Sequence, residues 1–403
     1  MDRTVIVSAA RTPFGKLNGA LRDFTAPQLG TLAIRAALER AGLSPDQVDN
    51  VLMGIVLQAG VGQIPSRQAA MGAGIPAEVP SLTINKVCAS GMRAITLADQ
   101  LQRVGDGEIF VAGGMESMTS APYMLPKARS GYRMGNAELV DGMMHDGLTC
   151  AFHHVAMGVH GDTTAREFGQ TRAEMDEWSA RSHQRAHAAM QAGRLADEIV
   201  PVMVGAGKKQ PPTPVTADES VRPDSTVEAL AKLKPAFTPD GFITAGNAPG
   251  INDGATALVL MSERKAHELG FKPLAAIVGH AKVGQEPAYL STVPAMAIQK
   301  ALGQAGLTVG QIDLFEINEA FAAVTLKSTE MLAGGDAGRL AAIRERTNVN
   351  GGAVAFGHPI GASGARLVAT LAFELIRRGA RYGAAAICSG AAQGDAILLE
   401  RLA

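Results

Sequence analysis

Part of this chain is written twice. The segment AIRAALERAGLSPDQVDNVLMG (33–54) matches AIQKALGQAGLTVGQIDLFEIN (297–318) at nine of 22 positions, at an offset of 264. Ala33, Ile34, Ala37, Leu38, Ala41, Gly42, Leu43, Gln47 and Asp49 all recur. A second echo sets CASGMR (88–93) against GASGAR (361–366), and a third sets FVAGG (110–114) against ICSGA (387–391). Helix-forming composition accounts for one such match but not for three in the same order, so the chain reads as one unit duplicated.

The unit alternates short apolar runs with helical patterns. VIVSAA (5–10), VDNVLMGIVL (48–57) and EIFVAGG (108–114) read as strands. The stretch 27–42 reads as an amphipathic helix closed by Gly42, and 94–105 as another. This alternation predicts an α/β fold with helices covering a largely buried sheet. Between the copies lies a stretch rich in Met, His, Pro and polar residues. There KKQPPTPVTADES (208–220) reads as loop, and TRAEMDEWSARSHQRAHAAMQAG (171–193) as a helix capped by Thr171 and stopped by Gly193. Long irregular insertions in compact folds are usually functional loops or lids, and this one is expected to cover a ligand. The expected division is a first half of 1–119 with 246–273, an inserted loop domain over 120–245, and a second half over 274–403.

Charge and composition exclude several classes. Lys and Arg total 37 against 38 Asp and Glu, so there is no basic footprint for nucleic acid. Hydrophobic residues reach 47% and charged ones 19%, which rules out a disordered chain. The glycine-rich uncharged stretch 347–365 contains Asn348, Asn350, His358 and Pro359, so it is a loop system and not a membrane span. Three scattered cysteines, at 88, 150 and 388, suit neither a disulfide scaffold nor zinc, and fit a reducing compartment. The opening MDRTVIVSAARTPFG lacks a secretory pattern, and LLERLA carries no peroxisomal address. The expectation is a soluble cytoplasmic protein.

Four residues carry candidate chemistry. Cys88 falls at a strand-to-helix turn, where helix dipole and free N–H groups favour thiolate. On position alone it fits a small buried apolar residue equally well. His358 sits in NVNGGAVAFGHPIGASGAR (348–366), whose glycines permit close backbone approach. That loop lacks both the Lys-Ser/Thr ending of a P-loop and the GxGxxG order of a dinucleotide fold. Cys388 ends an apolar strand, and Asn318 closes the repeat where an amide can orient water or stabilise an oxyanion. Copies that differ in such residues predict a composite active site. Cys150 reads as structural, and His183 and His187, lacking the Glu of HExxH, as a solvated helix face. No ligand spacing supports His145, His153, His154 or His160, so no metal is expected.

NKVCASG, TAGNAPGINDGA, NEAFA, NVNGGAVAFGHPIGASGAR and CSGAAQGDA, in this order along nearly the whole chain, resemble the thiolase family, most closely its biosynthetic type. The resemblance implies a duplicated α/β fold, two similar halves each with a mixed sheet and covering helices, plus an inserted loop domain. It implies that Cys88 carries the acyl group, His358 activates it and Cys388 acts as acid/base. Asn318 would hold a water that forms one oxyanion hole with His358, and the backbone N–H groups of Cys88 and Gly390 would form the other. Leu148, Met157, Arg222, Phe237, Ala245, Pro249, Ala320 and Phe321 fall where family members line the coenzyme A channel. Departures stand at Ala156 for a His, Ala229 and Pro249 for serines, and in the alanines after Gly390.

The implied substrates are coenzyme A thioesters, with no permanently bound cofactor. The implied reaction is reversible condensation of two acetyl-CoA to acetoacetyl-CoA. The alternative is a degradative 3-ketoacyl-CoA thiolase of fatty-acid β-oxidation. A ketoacyl synthase is disfavoured by Cys388 in the last motif, and a dead lipid-binding relative by retention of all four residues. YRMGNAELVDGMM (132–144) resembles the loop with which biosynthetic members join dimers into tetramers, and reads equally as surface packing; a homo-oligomer, dimer or tetramer, is the expected assembly.

Overall fold

The computed structural model describes residues 2–205 and 211–402. The first half contributes β1 (Thr4–Arg11), α1 (Ala26–Ala41), β2 (Asn50–Gly54), β3 (Ser81–Ile84), α2 (Ser90–Val104), β4 (Ile109–Ser117) and, after the insertion, β5 (Asn252–Ser262). The insertion holds α3 (Met157–Glu167) and α4 (Arg172–Gln191). The second half contributes β6 (Ala275–Gly284), α5 (Val293–Ala305), β7 (Leu314–Ile317), α6 (Ala322–Ala333), α7 (Ile360–Arg378), β8 (Tyr382–Ser389) and β9 (Gln393–Glu400).

The residues that recur in sequence hold the same helix-to-strand junction in both halves. Gly42 and Gly306 end α1 and α5 with φ of 66° and 67°, the left-handed conformation a glycine C-cap supplies. Ser44 with Gln47, and Thr308 with Gln311, form capping boxes on the following turns. The Asp49 carboxylate then accepts the N–H groups of Glu108 and Ile109, and Asp313 those of Arg381 and Tyr382. Each aspartate thereby ties its turn to the start of β4 or β8.

The strands run in the order β7-β8-β9-β6-β1-β5-β4-β2-β3, a near-palindrome about the β6–β1 seam. That seam is narrow, with only Val5 opposite Ala276 and Ile6 opposite Ala275. Parallel pairing joins β2 to β3 and β4, and β7 to β8, so the sheet is mixed. Even the bulges repeat: register slips between Ile6 and Ser8 in β1 and between Ile277 and Gly279 in β6. The pairing also corrects the third echo. Met53 faces Gly113 and its counterpart Ile317 faces Ala386, so Cys388 corresponds to Met115; the match of FVAGG with ICSGA is four residues out of register.

Helices α2 and α7 lie between the two half-sheets, sharing a core of Ile95, Leu367, Val368 and Leu371 with Leu52, Phe110, Leu258 and Ile387. Helix α1 covers the outer face of the first half and α5 that of the second, giving five layers. The second echo places glycines where α2 and α7 touch. A Cβ on Gly91 would stand 2.9 Å from the Ala365 nitrogen and Gly361 oxygen, and one on Gly364 2.6 Å from the Met92 nitrogen. Neither position tolerates a side chain.

The insertion is more ordered than its composition suggests. Tyr123–Met124 pairs with Val140–Asp141, and Val202–Val204 with Thr213–Val215, the latter inside the segment expected to be loop. Residues 208–210 of that segment lie outside the described residues. Thr171 caps α4 through a box with Glu174, and Gly193 follows its end at φ 70°. The insertion is anchored through buried Arg11, which meets Asp218 at 2.7 Å and Glu198 at 3.2 Å. No helix among the described residues is long and apolar enough to cross a membrane.

Candidate active site

Cys88 stands in the sharp turn between β3 and α2, preceded by Val87 at φ 46°, a costly conformation for a β-branched residue. Ser90 holds the turn, donating to the Val87 carbonyl at 2.6 Å and accepting the Lys86 N–H at 2.7 Å. The end of β8 reaches the same turn, where Ser389 Oγ donates to the Lys86 carbonyl at 2.7 Å. Lys86 itself forms an ion pair with Asp395 of β9. Cys388 and Gly390 are thus brought beside Cys88 from the other half. Ala391 and Ala392, the alanines that depart from the family pattern, turn the chain there at φ 60° and 46°.

The electrostatics correct one expectation. Burial pushes the Cys88 thiol up to about 12, with Glu116 adding to the rise, although the N–H groups of Cys88 and Gly390 pull it down. Desolvation outweighs the helix terminus. Cys388 is raised further by burial and by Cys88. His358 is pushed down to about 3 by burial and then by the Arg366 cation, which pairs with Glu316 at 2.9 Å.

His358 is held from all sides. Its N–H donates to Asn252 Oδ1 at 3.0 Å, its Nδ1 lies 2.6 Å from Ser363 Oγ, and its Nε2 lies 3.5 Å from Asn318 Nδ2. Gly357 takes φ 103° and packs on Asn252, where a Cβ would stand 2.3 Å from the amide carbon. Asn318 is fully buried, and its Oδ1 has no hydrogen-bond partner among the described residues.

Cys88, His358, Cys388 and Gly390 line one cavity of about 230 Å³. Leu148, Met157, Phe237, Pro249, Ala320 and Phe321 form its walls, together with Met144 and Leu290. Arg222 and Ala245 are not among its lining residues; they meet each other at 3.5 Å, and Arg222 also contacts His183. His183 is no solvated face. It is fully buried in α4, accepts the Arg222 N–H at Nδ1, and is pushed down to about 4 by burial and by Arg222.

Sequence reasoning missed the residues that hold the site in place. Glu116 on β4 accepts the N–H groups of Val56, Leu57 and Gly361, joining β4 to the start of α7, and burial raises it to about 7. Glu319 gathers Trp178 and Ser182 of the insertion with Asn348 and the Val354 N–H, at 2.8–3.0 Å. Glu319 directly follows Asn318 inside the quoted NEAFA motif, which was the one available signal; Asn252 and Ser363 likewise lay inside quoted motifs.

Comparison with known proteins matches residues 4–264 to the model of the thiolase N-terminal domain and 271–401 to that of the thiolase C-terminal domain. The chain is 50% identical to an acetyl-CoA acetyltransferase of Pseudomonas aeruginosa, across 100% of both chains. It is also 50% identical to a probable acetyl-CoA acetyltransferase of Mycolicibacterium smegmatis, covering 98% of this chain and 100% of the relative. Among solved structures, the Bacillus anthracis acetyl-CoA acetyltransferase superposes with a TM-score of 0.95 at 41% identity, covering 100% of this chain and 99% of that one.

Proposed function

The chain belongs to the thiolase family, and from that premise we propose that it is an acetyl-CoA C-acetyltransferase, condensing two acetyl-CoA to acetoacetyl-CoA and coenzyme A by a ping-pong route. The observation that carries this reading is the convergence of Cys88, His358 and Cys388, from both halves, on one cavity. Cys88 attacks the thioester of the first acetyl-CoA while His358 Nε2 takes its proton. Both groups rest neutral near pH 7, so the proton moves as the sulfur attacks. Cys388 gives its proton to the departing coenzyme A thiolate, then as a thiolate removes an α-proton from the second acetyl-CoA. The carbanion displaces Cys88 from the acetyl carbonyl, and Cys88 regains its proton from His358. The N–H groups of Cys88 and Gly390 suit the oxyanion on the acylated cysteine; His358 and a water held by Asn318 suit the enolate.

The small cavity, narrowed by Met144, Met157, Leu290 and Phe321, favours a short acyl group over the long chains of a degradative enzyme. In this reading residues 120–245 form the domain that covers coenzyme A, with Arg222 and Ala245 toward the outer part of the cofactor. No group beyond the thioester substrates is required. The same reading takes the enzyme as a cytoplasmic homo-oligomer; exposed Tyr132, Met134 and Leu139 support a tetramer loop. The deciding measurement compares thiolysis of acetoacetyl-CoA with that of a long-chain 3-ketoacyl-CoA. Preference for the four-carbon substrate is expected, and a strong preference for the long chain overturns the short-chain assignment.

A further inference from the structure

Beside the cavity wall, one eleven-residue segment, CAFHHVAMGVH (150–160), carries three potential metal ligands that the fold brings together. Cys150 Sγ and ring nitrogens of His153 and His160 all lie within 4.8 Å of one another. Cys150 and His160 are buried, while the His153 side chain is 43% exposed, leaving one open side. The loop carrying Cys150 and His153 is closed by the Cys150 N–H on the Val155 carbonyl and the His154 N–H on the Cys150 carbonyl, each at 2.8 Å. His160 comes from the first turn of α3.

We propose that Cys150, His153 and His160 form a binding site for one divalent transition-metal ion of the zinc class. Three details of geometry carry this. His153 Nδ1 and His160 Nε2 are 3.3 Å apart. Two nitrogens bound to one tetrahedral zinc at ~2.0–2.1 Å stand ~3.3–3.4 Å from each other. His153 Nε2 lies 3.3 Å from Glu286 Oε1, so that carboxylate can hold the ring proton on Nε2 and leave the Nδ1 lone pair for metal. Carboxylate–histidine–metal relays orient ligating imidazoles in this way. The donor set, one thiol and two imidazoles, is of the kind that selects zinc over magnesium or calcium.

Binding replaces the Cys150 S–H bond with an S–metal bond and releases that proton to solvent. The ion fastens the 150–155 loop to α3 and, through Glu286, to the second half. Leu148, two residues before Cys150, and Met157, three residues before His160, line the cavity that holds Cys88 and Cys388, so the ion braces its wall.

The test is titration of chelator-treated enzyme with zinc(II) and cobalt(II), read by metal analysis, absorption spectroscopy and thermal unfolding. The expected result is one ion per chain, a thiolate-to-cobalt charge-transfer band with intense tetrahedral d–d bands, and a thermal midpoint raised by zinc. Cys150→Ser and His160→Ala should abolish the band, and Glu286→Gln should weaken affinity by ~10- to 100-fold. If the Cys150 and His160 variants fail to fold, His153→Ala, on the exposed side, carries the test alone. A band that persists in Cys150→Ser or His153→Ala, or that vanishes in Cys88→Ser, overturns the proposal. So does the absence of stoichiometric binding.

Discussion

Ser363 Oγ lies 2.6 Å from His358 Nδ1 and donates its own proton to the Pro359 carbonyl at 3.0 Å. With the hydroxyl proton committed, the proton between the two residues belongs to Nδ1, and the Nε2 lone pair faces the reaction. Ser363→Ala leaves a buried N–H unpaired, at ~1–3 kcal/mol, or about 5- to 150-fold in rate if it falls on the transition state. Rapid-quench kinetics should show both acetylation of Cys88 and condensation slowed, with KM little changed. Unaltered rates would mean that the tautomer is set by some other contact.

The two thiols should separate cleanly. Cys88→Ala is expected to abolish the acetyl adduct and all turnover. Cys388→Ala should still accept acetyl on Cys88 while condensation falls ~10²–10⁴-fold, the cost of a lost general base. His358→Ala should impair both steps. Intact-mass spectrometry of each variant mixed with acetyl-CoA reads the adduct directly. An adduct in Cys88→Ala but none in Cys388→Ala would reverse the roles.

Because burial holds the free Cys88 thiol at about 12, its alkylation by a neutral reagent should keep accelerating past pH 9. A plateau beginning near pH 7 would show a preformed thiolate and refute the neutral resting pair.

Stability should fall on acidification through two buried histidines. His183 and His358 are pushed down to about 4 and about 3, against ~6.5 in the unfolded chain. Between those values the unfolded chain binds more protons, so each histidine lets stability rise with pH up to 6.5 and fall as pH drops below it. The slope approaches ~1.4 kcal/mol per pH unit for each group. Urea unfolding at pH 7 and pH 5 should show the loss, and His183→Gln should shrink it. Equal losses in variant and parent would place the acid sensitivity elsewhere.

Gly364→Ala puts a methyl 2.6 Å from the Met92 nitrogen, where only backbone can yield. Overpacking of this kind costs ~1–3 kcal/mol. Chemical denaturation should register it, together with a fall in kcat, since α2 and α7 both start at the active site. A loss under ~0.5 kcal/mol would mean that the helix crossing is looser than it looks.

Much of this was legible in the sequence because duplication displays which residues do local structural work. Gly42, Gln47 and Asp49 recur because each closes a helix or ties a turn to a strand, tasks set by short-range geometry. What stayed hidden depends on contacts between distant segments. His183 carries the polar pattern of an exposed helix face, yet the loop bearing Arg222 folds over it. Cys88 has the position of an activated thiol, but how far burial opposes the helix terminus depends on what closes over it. Glu116 reads as the end of a buried strand, and its three N–H partners come from segments 60 residues before and 245 residues after it. The strand register likewise overruled a chance likeness around Cys388 that letters alone supported.

The close crossing of α2 and α7, with Gly91 against Ala365 and Gly364 against Met92, has a consequence for the symmetry of the site. It delivers two equivalent helix starts to one spot, with Cys88 at the first and Gly361 at the second. In a pair of identical separate copies that spot would present the same residue twice. Position 361 has no room for a thiol, since a Cβ there would meet the Met115 carbonyl at 2.7 Å and Glu116 at 2.8 Å. A single chain that carries both copies is free of that identity. Here one half holds Cys88 at its helix start and the other brings its thiol, Cys388, from a strand end, so the two sulfurs reach one cavity from non-equivalent positions of the two halves.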